Sequence, residues 1–282
     1  GEEAIVELAE KLERKENPRN IKNLLFQSQS EHTDRPKLRP PVDLNSLEPL
    51  DYDIDSQYVL ENNKIRNVKE EDFKGTFLTY SSRGCPFRCS YCCNEFMLNL
   101  YKGDRYCRQR STENIMKELN EIKSCFPSCK VIWFDEADFL SGKTLKGIED
   151  FSKKYKKEIN IPFGVWSNPT AVTDEKIRAL KDAGLKGINI GTISGNDKVQ
   201  KEVFNRSATA NIYRVPAEVL KKYDIYVEYD VILCNPYEDD YEIINTIHLL
   251  MGLPKPFRTV IYSLTYFPGT ELYKKALKDG IV

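Results

Sequence analysis

The chain has 282 residues, enough for one large domain or two modest ones, and 42 basic against 43 acidic side chains leave a formal charge of −1. That balance excludes a strongly basic surface, so neither nucleic acid nor an anionic membrane is the expected partner. Apolar runs such as "TVIYSLTYF" (259–267) are too short to span a bilayer, and no charged-then-apolar segment opens the chain as a secretory signal. The expected setting is cytoplasmic, where the eight cysteines stay reduced and form no disulfide framework.

The chain begins "GEEAIVELAEKLER", with Ile5, Leu8, Ala9 and Leu12 on one face of an amphipathic helix. It starts without Met and inside this helix, and it stops just past another, so we expect a fragment of a longer protein. From about Asn17 to Lys74 the sequence is polar and irregular. "RPKLRPPVDLNSLEPLDYD" (35–53) carries four prolines, which favour extended backbone, and reads as a connector. The expected division is 1–73, a preceding remnant plus linker, and 74–282, a regular domain.

From Thr76 short β-rich runs alternate with helical ones. Strands are predicted at 76–81, 130–135, 162–167, 187–192, 226–233 and 259–266. Helices are predicted near 112–123, 144–157, 174–182, 197–222, 240–251 and 270–279. Ser111 and Thr173 stand as N-caps, and Gly184 as a C-terminal stop. Six β/α units with near-continuous apolar strands predict a parallel sheet covered by helices. Periodicity alone leaves a curved partial barrel and an open doubly wound sheet equally good.

The stretch "SSRGCPFRCSYCCNEF" (81–96) follows the first of these strands, at the strand end where parallel α/β folds place their chemistry. Cys85, Cys89 and Cys92 are spaced CxxxCxxC, and Cys93 follows directly. Structural zinc sites usually take four ligands in two separated pairs, and no second CxxC or HxxxH half exists; His32 and His248 are isolated, and "CFPSC" (125–129) is the nearest alternative. Three readings remain: structural zinc, no metal, or an open-site iron–sulfur cluster. Three thiolates on one loop leave a coordination position empty, which favours the cluster.

"CPFRCSYC" after the first strand of a six-fold β/α chain resembles the radical S-adenosylmethionine (radical SAM) superfamily, over roughly residues 74–282. The resemblance implies a partial (β/α)6 TIM-like barrel and three cysteines, here Cys85, Cys89 and Cys92, on a 4Fe–4S cluster. The remaining iron would chelate S-adenosylmethionine, and reductive cleavage would yield a 5′-deoxyadenosyl radical. It also implies an external one-electron reductant of flavodoxin or ferredoxin type and a small-molecule or peptide substrate. Tyr91 would be the aromatic beside the adenine, and Cys93, which matches no ligand position, a small buried packing residue.

The other strand ends carry further likenesses. "FDEADF" (134–139) resembles the segment that receives the methionine amino group, with Asp135 and Glu136 as candidates. "GTISGND" (191–197) matches the family at Ser194 and Gly195 but has Ile193 where Glu is usual. In "FNRSAT", Arg206 would partner the cofactor carboxylate. "VILCNPYED" (231–239) matches at Pro236 and Glu238, whereas Cys234 and Tyr237 replace glycines; Pro268-Gly269-Thr270 matches a family turn.

The helix and proline-rich stretch before the barrel resemble the subgroup with an N-terminal cobalamin-binding domain. Its DxHxxG motif is absent, and His248 sits in "TIHLLMG" instead, so cobalamin would bind, if at all, through a region upstream of Gly1. Members of that subgroup carry out methylations, rearrangements and cyclisations, and no residue selects among these. The basic "RYCRQRSTEN" (105–114) would meet an anionic substrate or simply be a solvated helix entry. The rival expectation is a non-catalytic iron–sulfur or zinc-binding module on the same barrel.

Overall fold

The computed structural model describes residues 1–26, 37–73, 75–102, 105–207 and 210–282. His32, the start of the proline-rich stretch at Arg35–Pro36, and the end of "FNRSAT" at Ala208–Thr209 lie outside the described residues. The chain forms two compact units, Gly1–Val42 and Asp43–Val282. In the first, helix α1 (Glu2–Glu13) carries Glu3 and Glu7 one turn apart. Both carboxylates pair with Arg39, and the Arg39 backbone N–H donates to Asn23 Oδ1 at 3.0 Å.

The larger unit opens with a feature that the sequence reading treated as connector. Strands β1 (Tyr58–Glu61) and β2 (Lys64–Asn67) form an antiparallel hairpin. Asn62 and Asn63 both take positive φ, +50° and +60°, as a two-residue primed turn requires. The pair lacks the glycine that would have marked the turn, and the flanking strands are short and polar. Residues 43–73 are tied to the rest of the unit, for example by the Tyr52 hydroxyl, which donates to Glu118 at 2.8 Å.

The remaining elements follow in chain order: β3 (Thr76–Thr79), β4 (Ser82–Arg83), α2 (Cys93–Leu100), β5 (Arg108–Gln109), α3 (Thr112–Cys125), β6 (Val131–Phe134), α4 (Leu145–Glu158), β7 (Phe163–Ser167), α5 (Asp174–Ala183), β8 (Leu185–Ile193), α6 (Ala210–Lys222), β9 (Tyr226–Leu233), α7 (Asp240–Met251), β10 (Arg258–Ser263) and α8 (Glu271–Lys278). Six strands in the order β10-β9-β8-β7-β6-β3, all parallel, curl into a half-barrel. Of the two arrangements that periodicity left equal, the curved one forms.

Strand alternation divides the sheet into two faces. Phe77, Ile132, Phe134, Phe163, Val165, Ile188, Ile190, Val227 and Tyr229 enter one core with the apolar stripes of α3 to α7. Phe134, Phe151, Tyr155 and Phe163 pack ring to ring at its centre, with centroids 4.7 to 6.5 Å apart. Truncating one such ring to Ala costs about 3–5 kcal/mol. The opposite face, carrying Leu78, Trp133, Trp166, Asn189, Asp230 and Tyr262 by the same alternation, is the inside of the half-barrel.

The helix ends follow the local chemistry. Ser111 Oγ accepts from Asn114 N at 3.1 Å, Thr173 caps α5, and Gly184 ends it at φ +113°. The helix expected over 197–222 is split. A π-helical turn (Val199–Val203) comes first, and Asn205 at φ +49° breaks the path before α6. That break has a functional consequence.

Candidate functional site

The cysteine loop is shaped before any ligand is considered. Past β3 the chain pairs β4 antiparallel with β5, then turns at Gly84, where φ is +90°. A Cβ there would lie 3.0 Å from the Tyr106 carbonyl oxygen and 3.1 Å from Cys107 Cα, so the turn requires glycine. Cys92 N donates to the Cys89 carbonyl at 3.0 Å, closing a turn that leads into α2. Gly269, at φ +92°, lies against the Phe96 ring of α2, where a Cβ would come within 2.8 Å.

The π-helical turn and the residues after it clasp this loop from the far side. Ser90 N donates to the Phe204 carbonyl at 3.0 Å, Ser90 Oγ donates to the Val203 carbonyl at 2.5 Å, and Asn205 Nδ2 donates to the Arg88 carbonyl at 2.8 Å. The Tyr91 ring meets Phe204 edge-on at 5.2 Å. Arg206 reaches inward, with Nη2 donating to the Gly191 carbonyl at 2.7 Å and Nη1 to Tyr91 Oη at 3.3 Å and to Cys89 Sγ at 3.7 Å.

Cys85, Cys89 and Cys92 line a single cavity of about 240 Å³, together with Tyr91, Asp138, Trp166, Arg206 and Asp230. Burial pushes the Cys85 thiol up to about 12 and also raises that of Cys89, against the pull of Arg206. Among the described residues, no three His, Cys, Asp or Glu side chains converge to hold one metal ion. A cubane cluster presents its irons at separate corners and is met by thiols spread around a cavity, as these are. The buried Arg206 Nε, which lacks a partner among the described residues, marks positive charge at the same spot. The donor set fits an iron–sulfur cluster better than a single zinc ion.

The predicted acids are placed differently from the expectation. Asp135 is exposed, and its backbone N–H donates to the Thr79 carbonyl at 2.7 Å. Glu136 is buried, and its carboxylate accepts from Ser81 N, Ser81 Oγ and Ser82 Oγ at 3.0, 2.6 and 2.6 Å. Neither lines the cavity; Asp138 does. Its two oxygens accept from the backbone of Leu140, Ser141 and Asn168 and from the hydroxyls of Ser141 and Ser167, at 2.7 to 3.1 Å. Sequence reasoning missed it because the helix-start acids are neighbours, and only the path of the loop selects the one that faces the thiols.

Ser194, Glu238 and Pro236 also lie off the cavity wall. Ser194 Oγ donates to Glu238 Oε1 at 2.8 Å, and Asn235 Nδ2 donates to Glu238 Oε2 at 3.0 Å, bracing the ends of β8 and β9. Pro236 is exposed. The glycine replacement at Cys234 is felt in the backbone, where φ is +57°, and Ile193 takes +69° beside an irregularity in the β8–β9 register. Both are costly angles for residues with a Cβ, the branched one above all. Tyr237 donates from its hydroxyl to Asp279 at 3.0 Å instead of opening space. Cys93 is exposed at the first turn of α2, which corrects its reading as a buried packing residue: Cys92 caps the helix and lines the cavity, and the first turn carries Cys93 outward. His248 is exposed on α7.

Sequence reasoning also overlooked Trp166, Asn189 and Asp230 on the inner face. Asn189 Nδ2 donates to Asp230 at 3.2 Å, while Asn189 Oδ1 and Trp166 Nε1 are buried without partners among the described residues. Burial pushes the Asp230 carboxyl up to about 6, with Glu228 adding to the rise and Asn189 opposing it. Strand parity could have found all three, since each shares a face with Gly164, Gly187 or Gly191.

Comparison with known proteins agrees with this geometry. The chain is 25% identical over 250 residues to bacteriochlorophyllide d C-8(2)-methyltransferase of Chlorobaculum tepidum, covering 86% of the chain and 52% of that protein. It is 26% identical over 239 residues to the anaerobic magnesium-protoporphyrin IX monomethyl ester cyclase of Cereibacter sphaeroides, covering 81% and 36%. The chain thus spans about half the length, or less, of these curated relatives. The radical S-adenosylmethionine methyltransferase TsrM of Kitasatospora setae, solved with cobalamin and a [4Fe-4S] cluster, superposes with a TM-score of 0.74 at 15% identity, covering 99% of this chain and 53% of that one. The family model of the radical SAM superfamily matches residues 79–250, more than half of the sequence and including the whole cysteine loop, so the chain belongs to the radical SAM superfamily.

Proposed function

We propose that the full protein is a radical S-adenosylmethionine enzyme in which Cys85, Cys89 and Cys92 hold a 4Fe–4S cluster and the adjoining cavity takes the cofactor. The observation that carries this is that three thiols, one buried arginine and two buried aspartates line a single cavity at the carboxyl ends of the strands. When bound, the cluster supplies an electron, delivered by an external reductant, that breaks the C5′–S bond of S-adenosylmethionine to give methionine and a 5′-deoxyadenosyl radical. Asp138 offers negative charge to the ammonium of an amino-acid moiety, and Tyr91 an aromatic edge to a purine. Asp135, Glu136, Ser194, Pro236 and Glu238 support the loops around the cavity.

The inner sheet face bears on the substrate. Trp133, Trp166, Leu78 and Tyr262 offer broad apolar surfaces above the glycines, as a flat conjugated molecule needs. Two relatives are named for bacteriochlorophyllide and magnesium-protoporphyrin, which supports a tetrapyrrole-like substrate modified at carbon by methylation or ring closure. Cobalamin would be held by a region upstream of Gly1, next to the Gly1–Val42 unit that is separate from the barrel unit.

Anaerobic reconstitution with iron and sulfide tests the reading. The expected result is a brown protein that releases 5′-deoxyadenosine from S-adenosylmethionine once reduced. Cys89→Ala should lose the iron and Cys93→Ala should keep it. Zinc without visible absorption would instead establish the binding-module alternative. For the substrate class, protoporphyrin IX should quench the fluorescence of the two tryptophans saturably, and a purely linear decrease would contradict that part.

A further inference from the structure

Arg206 is 9% exposed and carries a permanent charge. Among the described residues no Asp or Glu pairs with it. Its fork meets the Gly191 carbonyl, the Tyr91 hydroxyl and the Cys89 sulfur, while Nε has no partner. A buried cation met only by neutral oxygens and a thiol is unfavourable, so this position favours an anion at the same point. Of the ionisable groups in its reach, burial holds the Tyr91 and Tyr213 phenols protonated, whereas Cys89 as a cluster ligand is a thiolate. A cubane core with three thiolates is a net anion when oxidised and gains a further negative charge on reduction.

We propose that Arg206 is a potential-setting residue: its guanidinium donates to the Cys89 sulfur and holds the cluster's reduction potential more positive than the same cluster without it. This rests on the cluster reading above. Hydrogen bonds to ligating sulfurs and local charge are among the levers by which a protein sets such a potential, and a positive charge favours the state with the extra electron. The geometry is built for constancy. Arg206 N donates to the Gln200 carbonyl at 2.7 Å, closing the π-helical segment, and Nη2 is fixed on Gly191. The carboxylate role expected from sequence would leave the potential of the cofactor-free cluster untouched, which separates the two.

The test is the midpoint potential of the reconstituted protein without S-adenosylmethionine, followed by electron paramagnetic resonance, in wild type, Arg206→Met, Arg206→Gln and Arg206→Lys. Iron and sulfide content and far-ultraviolet circular dichroism are measured on each. The expected result is a shift to more negative potential in the Met and Gln variants and a smaller shift in Lys, which keeps the charge but loses the planar fork. If Met fails to load iron, Gln against Lys decides, and Gln must lie negative of Lys. Equal potentials across the loaded variants overturn the inference while leaving the cluster reading intact. Failure of wild type to take up iron overturns that reading instead.

Discussion

Gly164→Ala tests whether the inside of the half-barrel is packed as described. A Cβ at Gly164 would lie 1.9 Å from Trp133 Cζ3 and 2.1 Å from Cε3. Carbon atoms rest about 3.5 Å apart, so the indole must retreat by roughly 1.5 Å. It cannot do so freely, because Trp133 meets the Trp166 ring edge-on at 6.5 Å and Trp166 walls the cysteine cavity. Overpacking of this kind costs about 1–3 kcal/mol. Taking about 2 kcal/mol, a unit of this size loses about 4–8 °C in Tm. Trp133 and Trp166 are the only tryptophans in the sequence, so fluorescence excited at the red edge, where tyrosine does not absorb, reports on this face alone. A lower Tm together with a changed tryptophan spectrum is expected. An unchanged spectrum at unchanged Tm would show that the two rings do not pack over Gly164, and the inner face would have to be redrawn.

Asp230 gives a pH signature. Its carboxyl, about 6 in the fold against an ordinary 3.8, binds a proton more tightly than in the unfolded chain. Its contribution is therefore fully present below about pH 4 and is lost as pH rises through 6. Glu228 beside it on β9, Asn189 on β8 and Tyr262 on β10 are the polar groups that face it. Urea midpoints of wild type should fall between pH 4 and 6.5 relative to those of Asp230→Asn, and parallel curves would refute the assignment. Glu118 is buried at the rear of β3 and accepts from Arg110 at 2.5 Å, Tyr52 at 2.8 Å and Thr79 at 2.9 Å. Glu118→Ala should cost about 3–5 kcal/mol in denaturant unfolding by leaving the Arg110 charge buried and unpaired. A loss below about 1 kcal/mol would show that water or another acid reaches Arg110.

The features readable in the sequence are those set by local spacing. All six barrel strands lie within a few residues of their predicted positions, because apolar runs and helix caps at Ser111, Thr173 and Gly184 act over a single turn. The ligand triplet is equally local, with three residues and then two separating the thiols on one loop. The family likeness likewise rests on consecutive residues around it. The hairpin at 58–67 escaped notice because its strands are short and polar and its Asn-Asn turn is only weakly marked.

What the tertiary structure decided are the choices between neighbours in sequence. Asp138 rather than Asp135 or Glu136 faces the thiols, because two serines after β3 occupy Glu136 and the loop turns Asp138 inward. Cys92 points inward and Cys93 outward because α2 begins between them. Arg206 meets Cys89 across 117 positions of sequence because a π-helical turn ends where it does. Spacing along a chain specifies which groups can share a loop or a helix face. Which of them share a cavity depends on strand parity, loop path and the burial of charge, and these exist only once the sheet has closed around them.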